Sequence, residues 1–381
     1  MAVEIVVRAP VNIALVKYWG KRDQERMLPM NDSLSVNIDA LYAETKIRTT
    51  IVSGECKDTV MVNGVQMSLE GADNRYVRCF QHVRSLVPEP EGQREKRWSF
   101  EVTSKTNFPT SAGLASSAAG FAALAFGLGK IFQLDEAAVA HLARLGSGSA
   151  CRSVFPGFVH WKAGVAMDGS DCKCESICGR DHWPELRALI AVTSQAAKSV
   201  GSTGGMQLTV ETSQLYKTRL QDCVPKHIQQ LSTAIQRKDF AALAQVCMKE
   251  SNQLHAVCMD SWPPLFYLND ASIHLIQLAM AYNQLKGQLE VAYTFDAGPN
   301  CCFFMRVDTV KPFLEYMLHY CPSQPDDFIR DMAEDEGDVV NRLEKRIGRP
   351  LSGIQPFPGV VQYCILSRVG CGPNLLSHRK L

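Results

Sequence analysis

A run of small residues from position 109 to 120 has the chemistry that is easiest to recognise in this sequence. It reads Pro-Thr-Ser-Ala-Gly-Leu-Ala-Ser-Ser-Ala-Ala-Gly and leads into an apolar stretch with helical character. Small residues let a backbone approach phosphate closely, and the unpaired N–H groups at a helix N-terminus favour an anion. The Gly-Lys-Ser/Thr ending of a Walker A loop is missing from the sequence. The residue types alone favour a phosphate-binding loop and a helix-packing seam about equally.

Two lysines near the start of the sequence could bind one anion together. Lys17 and Lys21 are four residues apart, a spacing that can present two cations to a single polyanion. The alternative is a solvated basic surface. The aromatic neighbours Tyr18 and Trp19 argue against plain solvation.

Two further charged residues lie in segments that could form part of a binding or catalytic site. Arg152 follows the small, hydroxyl-rich segment 146–149, and its planar guanidinium suits a carboxylate or a phosphate, although a surface ion pair is its default role. Asp296 stands between an apolar run and Gly298-Pro299, where an Asp is usually a turn residue. The residue types leave both alternatives open.

These segments resemble, in the same order, the motifs of one known family. The pattern Pro-x3-Gly-Leu-x-Ser-Ser-Ala-Ala is similar to the phosphate loop of the galactokinase, homoserine kinase, mevalonate kinase and phosphomevalonate kinase (GHMP) superfamily. Ala115, where the kinases usually have Gly, resembles the mevalonate diphosphate decarboxylase family within it. Segments 9–23, 146–153 and 293–300 resemble the same family, and 201–206 resembles a looser pattern of it.

The resemblance implies an ATP-dependent decarboxylation of (R)-5-diphosphomevalonate. The implied products are isopentenyl diphosphate, ADP, phosphate and carbon dioxide, and the implied cofactors are ATP and Mg²⁺. Asp296 would orient or deprotonate the C3 hydroxyl, Lys17 would lie near the transferred phosphoryl group, and Arg152 would hold the substrate carboxylate. The three catalytic residues implied are therefore Asp296, Lys17 and Arg152.

The same resemblance implies two further groups of site residues. The substrate-binding group consists of Tyr18, Lys21, Arg75, Ser147, Ser149, Arg152, Ser202 and Thr203. The ATP-binding group consists of Asn107, Ser111, Ala112, Gly113, Leu114, Ala115, Ser116 and Ser117. Ser117 is also the implied contact of the metal.

Two rival functions have to be weighed against this one. The first is a GHMP small-molecule kinase that phosphorylates a mevalonate-like alcohol without decarboxylation, and the joint occurrence of Asp296, Lys17 and Arg152 argues against it. The second is a non-catalytic ligand-binding relative. Such a relative is expected to have lost Asp296 or the phosphate loop, and this sequence has both.

The elements that position these residues are mostly strands at first and mostly helices later. Apolar and β-branched runs predict strands at 3–8, 33–38, 45–52, 59–62, 98–103, 157–161, 186–193, 291–295, 301–307 and 359–367. Apolar spacing predicts helices at 74–86, 116–132, 135–145, 207–220, 240–257 and 271–285. This mixture indicates an α+β fold.

Length and resemblance together predict the domain organisation. A chain of 381 residues with 46% hydrophobic residues is long for one core, so two domains are expected. We place an ATP-binding domain at 1–184 and a second domain at 185–381. The resemblance implies a two-domain GHMP-kinase-like fold with the active site in the cleft between the domains. It also implies a homodimer.

Charge and composition restrict the partners. The 40 basic and 39 acidic residues give a net charge of +1, which offers no general attraction to nucleic acid or to an anionic membrane. No apolar run is long enough for a membrane span or a signal peptide, so a cytoplasmic protein is expected. The residues at 377–381 resemble a peroxisomal tripeptide only loosely.

The 14 cysteines are scattered and are expected to be reduced. Cys172, Cys174 and Cys178 form the densest cluster, but the paired C-x2-C spacing of a zinc site is missing. We therefore expect a loop of free thiols at 172–178.

Overall fold

The computed structural model describes residues 2–54, 57–71, 74–87, 96–108, 116–196, 199–323, 328–330, 343 and 347–381, with the backbone alone at positions 96 and 116. Within these ranges, sheets predominate before position 184 and helices predominate between 200 and 320. The α+β class expected from the sequence is confirmed.

The larger sheet is built chiefly from strands before Pro184. The strands described in this part of the chain are β1 (Ala2–Val16), β2 (Lys21–Asp23), β3 (Leu28–Pro29), β4 (Ser33–Ser53), β5 (Thr59–Val62), β6 (Val65–Gln66), β7 (Lys96–Thr106), β8 (Phe158–Trp161) and β9 (Cys174–Cys178). Strands β1, β4, β7, β5 and β6 lie side by side in that order, β8 pairs with β4, and β9 pairs with β8. Strands β2 and β3 form a separate ribbon.

Strand β4 is longer than predicted, because the two strands expected at 33–38 and 45–52 are continuous. Strand β1 runs antiparallel to β4 along most of its length, so the intervening residues also find backbone partners, as in the pairing of Ala9 with Ala43. A register shift after Pro10 absorbs the extra residues of β4. The long pairing leads directly to Lys17, the residue that follows β1.

The expectation of a loop at 172–178 was wrong for part of that segment. Residues 174–178 form strand β9, since the edge of β8 offers them backbone partners; Cys174 lies opposite Trp161. The cysteine side chains of this segment are free thiols, as expected.

Three helices share a buried apolar cluster with the larger sheet. They are α1 (Arg75–Leu86), α2 (Ser116–Phe132) and α3 (Glu136–Gly146). Helix α2 lies against β1 and β4, and a Cβ atom added at Gly127 would collide with the Ile47 side chain. The small residues of α2 therefore do form a close packing seam within the helix.

The second part of the chain surrounds a smaller sheet. Its described elements are β10 (Leu186–Val192), α4 (Ser202–Thr212), α5 (Leu215–Thr218), α6 (Val224–Arg237), α7 (Phe240–Met259), α8 (Asp270–Lys286), β11 (Val291–Phe295), β12 (Cys301–Arg306), α9 (Val307–Tyr320), β13 (Ile329–Arg330), β14 (Tyr363–Arg368) and β15 (Asn374–Lys380). The sheet order is β11–β12–β10–β14–β13. Strand β15 leaves this part of the chain and pairs antiparallel with β1.

The single helix predicted at 207–220 was wrong. Helix α4 ends at Thr212, because Ser213 is extended and its hydroxyl donates to Asp260 Oδ2 at 2.7 Å. The same carboxylate oxygen accepts the Leu215 N–H at 2.9 Å and so supports the turn into α5. A π-helical segment, Arg219–Cys223, then joins α5 to α6. Asp260 is distant in sequence, so local spacing could not predict this break.

Both parts of the chain share one continuous core. Val11 and Ile13 of β1 belong to the same buried cluster as Ile190 of β10 and Phe303 of β12. Helix α7 contacts both β1 and β11, and this brings the ends of those two strands together. No helix among the described residues has the length and apolar character needed to cross a bilayer.

Candidate active site

A lysine and an aspartate that are far apart in sequence form an ion pair where β1 and β11 end. Lys17 Nζ lies 2.7 Å from Asp296 Oδ1, although 279 residues separate them. The Lys17 side chain is 2% exposed, whereas that of Asp296 is 34% exposed. The carboxylate therefore faces accessible space, and the ammonium supports it from the protein side.

Helix α7 holds both ends of this pair. Ser251 Oγ accepts the N–H of Phe295, the residue before Asp296, at 2.9 Å. The preceding helix residue, Glu250, accepts the N–H of Lys17 at 3.0 Å. Consecutive side chains of one helix thus set the positions of two strand ends.

Arg152 is buried beside this pair in a polar cradle. It is 3% exposed, its Nε donates to Asn12 Oδ1 at 3.1 Å, and its Nη1 donates to Ser33 Oγ at 2.7 Å. Among the described residues no carboxylate lies within ion-pair distance of its guanidinium. Burial lowers the pKa of Arg152, while neighbouring groups, including Asp296, counteract that effect. A buried cation without a close counter-ion is suited to an anionic ligand.

Tyr18 and Trp161 stand next to this arginine. Their rings are 4.8 Å apart, and the Arg152 guanidinium carbon lies 5.7 Å from the Trp161 ring centre. The Tyr18 hydroxyl is buried and has no hydrogen-bond partner among the described residues. Gly148, between Ser147 and Ser149, leaves room for it, since a Cβ atom there would come within 2.9 Å of that hydroxyl. The hydroxyl is thus suited to a polar contact with a bound molecule.

The segment after Tyr18 ties α4 to the site. Trp19 Nε1 donates to Thr209 Oγ1 of α4 at 3.0 Å, and Tyr216 donates its hydroxyl hydrogen to the Trp19 carbonyl. Gly20 follows with a φ of +93°, and a Cβ atom there would collide with the Tyr216 hydroxyl. Ser202 and Thr203 begin α4 and are at least partly exposed. No hydrogen bond joins their side chains to the other predicted site residues within the described ranges.

A basic group forms where β2 approaches α1. Burial, followed by the charges of Arg75 and Arg78, lowers the pKa of Lys21 to about 8. Arg75 is the first residue of α1, and its guanidinium carbon lies 5.3 Å from the centre of the Phe121 ring. Mutual repulsion among these cations suits the group to a polyanion, because a bound anion would relieve it.

The predicted ATP-binding residues are described in part. Ser117 Oγ and Ser147 Oγ lie 3.2 Å apart, so α2 and the Gly148–Arg152 turn meet at two hydroxyl groups. Ser111, Ala112, Gly113, Leu114 and Ala115 lie outside the described residues, and Ser116 is described by its backbone alone.

Asn107 is committed to strand β4. Its Oδ1 accepts the Tyr42 N–H at 2.9 Å and its Nδ2 donates to the Ala40 carbonyl at 2.7 Å. These bonds give Asn107 a structural task, and its part in nucleotide binding stays a prediction.

Sequence reasoning missed several residues that support this site. Asn12 and Ser33 hold Arg152, and Asn12 also donates to the Ser149 carbonyl at 3.0 Å. His255 of α7 is buried with its ring centre 6.3 Å from that of Phe295. Burial, followed by the Lys17 charge, lowers the pKa of His255 to about 4, so it is neutral at physiological pH. Asn12 lies inside the segment 9–23 that resembles the family, so the sequence offered a signal for it. No such signal marked Ser33 or His255.

Two family models match almost the whole chain. The diphosphomevalonate decarboxylase-like N-terminal domain matches residues 9–174, and the mevalonate 5-diphosphate decarboxylase C-terminal domain matches residues 188–376. A diphosphomevalonate decarboxylase from Bos taurus is 40% identical over 98% of this chain and 94% of its own length. The chain belongs to the diphosphomevalonate decarboxylase family.

Solved structures of this diphosphomevalonate decarboxylase family share the fold. Mevalonate diphosphate decarboxylase from Trypanosoma brucei superposes with a TM-score of 0.88 and 36% identity over 98% of both chains. A protein described as MDDEF in complex with MVAPP, AMPPCP and magnesium superposes with a TM-score of 0.76 and 29% identity, over 99% of this chain and all of its own. The expected GHMP-kinase-like fold is confirmed.

The residues present fit a magnesium ion that is bound mainly by a nucleotide. Within the described ranges no group of three or more His, Cys, Asp or Glu side chains could enclose a metal. The Ser117 and Ser147 hydroxyls are oxygen donors of the kind that Mg²⁺ accepts, and this ion commonly takes its remaining ligands from phosphates and water.

Proposed function

We propose that this protein decarboxylates (R)-5-diphosphomevalonate with ATP, giving isopentenyl diphosphate, ADP, phosphate and carbon dioxide. The observation that carries the proposal is the 2.7 Å pair of buried Lys17 and accessible Asp296 beside Arg152, a buried cation without a close described carboxylate. This arrangement supplies one group for each charge change in the reaction: a base for the hydroxyl, a cation for the phosphoryl group and a cation for the carboxylate.

Asp296 acts on the tertiary C3 hydroxyl. It orients the hydroxyl and accepts its proton as the oxygen bonds to the γ-phosphorus of ATP and the bond to ADP breaks. Such general-base assistance is typically worth about 10²–10⁴ in rate. The Lys17 ammonium offsets the negative charge that accumulates on the oxygens of the transferred group.

Arg152 positions the substrate carboxylate. Its hydrogen bonds to Asn12 and Ser33 fix the guanidinium, so that the carboxylate is held in line with the C3–O bond. Phosphate then leaves from C3, and the electrons of the bond to the carboxyl carbon form the new double bond. Because a tight ion pair would favour the ground-state anion, the role of Arg152 is orientation more than affinity.

The remaining predicted residues bind the two phosphate-bearing substrates. Lys21 and Arg75 bind the substrate diphosphate, and Tyr18, Ser147, Ser149, Ser202 and Thr203 contact the mevalonate moiety or that diphosphate. Residues 111–117 and Asn107 bind ATP, with Ser117 as the protein contact of Mg²⁺. When bound, Mg²⁺ offsets charge on the nucleotide phosphates.

One assay tests the proposal directly. Purified protein is given ATP, Mg²⁺ and (R)-5-diphosphomevalonate labelled in the carboxyl group, and both ADP and released carbon dioxide are measured. We expect equal amounts of the two products. ADP without carbon dioxide would identify a GHMP kinase instead, and neither product would identify a non-catalytic relative.

The predicted organisation and location belong to the same proposal. We place the domain boundary near Pro184, with domains at 1–184 and 185–381, and we propose a cytoplasmic homodimer that binds neither nucleic acid nor membrane. The near-neutral net charge supports the absence of such binding. Light scattering of the purified protein tests the dimer.

A further inference from the structure

The main chain of Lys17 follows the last paired residue of strand β1. The pairing of β1 with β4 ends at Val16, opposite Leu34. The buried N–H and carbonyl groups of Lys17 therefore need partners elsewhere. Glu250 Oε1 accepts the N–H at 3.0 Å, and Arg219 Nη2 donates to the carbonyl at 2.9 Å. Asn31 Nδ2 also donates to that carbonyl, at 3.0 Å.

Glu250 and Arg219 form a completely buried ion pair. Arg219 Nη2 contacts Glu250 Oε1, and both side chains are 0% exposed. His227 Nδ1 lies 2.6 Å from Glu250 Oε2, and Arg219 Nη1 donates to Gln253 Oε1 at 2.8 Å. Burial by itself would raise the pKa of Glu250, but the Arg219 charge and the hydrogen bonds from His227 and Arg219 bring it below its ordinary value. Glu250 is therefore ionised at neutral pH.

Stability alone is a poor reason for this pair. Removing two charges from water costs free energy, and well-packed apolar side chains often replace a buried ion pair without loss of stability. Arg219 Nε also lacks a hydrogen-bond partner among the described residues, which adds to that cost. Arg219 lies in the π-helical segment Arg219–Cys223, a kind of irregularity that is frequent at functional sites.

We propose that Glu250 and Arg219 are positioning residues that clamp the Lys17 main chain and thereby hold its ammonium beside Asp296. The proposal rests on the proposed function, because it assigns the clamp to the decarboxylase site. Apolar residues of similar volume could fill the same space, but they could not bond both backbone groups of Lys17. Ser251 bonds to the backbone of the residue before Asp296. The clamp and Ser251 together therefore fix the positions of both Lys17 and Asp296, whose charged groups are 2.7 Å apart.

The clamp matters because the reacting groups tolerate little displacement. The lysine side chain is long and flexible, so the position of its ammonium depends on the position of the Lys17 backbone and on the side chains packed around it. A misplacement of roughly 1 Å can lower a rate about 10²-fold. Loss of the clamp should therefore lower kcat and leave the affinity for both substrates nearly unchanged.

The deciding variant is the double substitution Glu250→Met and Arg219→Met, because it removes both charges together. We expect this variant to fold with a melting temperature lowered by only a few degrees, because the buried Lys17 N–H loses its acceptor while the cost of burying two charges is also removed. Its kcat should fall at least about 10-fold, and both KM values should change less than about threefold. Full turnover in the folded double variant would overturn the proposal, since a pair that serves stability alone is replaceable.

Two single substitutions keep the proposal testable if the double variant does not fold. Arg219→Lys keeps the charge beside Glu250, but a single ammonium reproduces the geometry of the guanidinium poorly, so kcat should fall about 10-fold. Gln253→Met is the matched control, because it removes a partner of Arg219 that does not touch Lys17; its kcat should stay within about twofold of the wild type. An Arg219→Lys enzyme with normal kcat, or a Gln253→Met enzyme as slow as the double variant, would contradict the clamp.

A crystal structure of the double variant gives a readout that does not depend on turnover. We expect Lys17 Nζ to move out of hydrogen-bond distance of Asp296, and an unchanged 2.7 Å separation would refute the clamp. Wild-type protein that releases no carbon dioxide would instead refute the proposed function, and the distance would still decide the clamp.

Discussion

Asp296→Asn is the substitution that best separates a catalytic carboxylate from a turn residue. Asn keeps an oxygen that can accept from Lys17 Nζ, which now lies 2.7 Å from Oδ1, but it lacks the charge and the basicity. If Asp296 acts on the C3 hydroxyl, kcat should fall by roughly 10² or more, which corresponds to about 2.7 kcal/mol of barrier. The KM values for ATP and diphosphomevalonate should change far less, because other groups bind the phosphates.

The same substitution should have a modest effect on folding. Lys17 is 2% exposed and would lose its charged partner, but the Asp296 side chain is 34% exposed, so water already screens part of the interaction. We expect a loss of about 1–3 kcal/mol in the free energy of unfolding, because the buried ammonium keeps a neutral acceptor but loses the negative charge that compensated its burial. Thermal melting measures this loss separately from turnover.

The turn itself gives the competing expectation. The Gly298 N–H donates to the backbone carbonyl of Asp296 at 2.7 Å, and Asn can keep this backbone bond. A residue that served only this turn would tolerate Asn with near-normal activity. Asp135→Asn is a suitable control, because Asp135 caps α3 and Asn caps helices equally well. Near-normal kcat in Asp296→Asn would refute the catalytic assignment and weaken the case for a decarboxylase over a kinase.

Three further predictions follow from the same site. Arg152→Lys keeps the charge but loses the planar fork of the guanidinium. Either kcat or the amount of carbon dioxide released per ADP should therefore fall about 10-fold, and unchanged kinetics would remove Arg152 from the substrate site. Ser117→Ala and Gly113→Val should each lower ATP turnover at an unchanged melting temperature, and normal turnover in Gly113→Val would refute the phosphate-loop assignment. Since the pKa of Lys21 is lowered to about 8, free enzyme loses this positive charge as pH rises through that value, and kcat/KM for diphosphomevalonate should fall there. Lys21→Arg should keep the charge and move that fall to higher pH; a profile unchanged by Lys21→Arg would show that another group titrates.

Several parts of the fold could be predicted from local sequence alone. Helix α2 and strand β11 have the predicted bounds, 116–132 and 291–295. Each is one uninterrupted segment, with apolar residues at helical spacing in α2 and a short apolar run in β11. The break at Thr212 could not be predicted, since it depends on the Asp260 carboxylate that supports the turn into α5. Strand β9 likewise exists because the edge of β8 offers it backbone partners.

For the candidate site, the sequence by itself determined which residues are the candidates for the chemistry. The residue types alone left alternatives open at Lys17, Arg152 and Asp296, and the resemblance of the surrounding motifs to one family singled them out. Their chemical types, and the motifs that surround them, do not depend on the rest of the fold.

The tertiary structure alone decided how these residues meet. It brings Lys17 to Asp296 across 279 residues, places the Asn12 and Ser33 side chains on Arg152, and buries Glu250 with Arg219 against the Lys17 main chain. Glu250 and Arg219 lie in helical stretches that give no hint of function in the sequence. The physical reason is that a buried charge acquires its role from the partners that folding brings to it, and those partners come from distant parts of the chain.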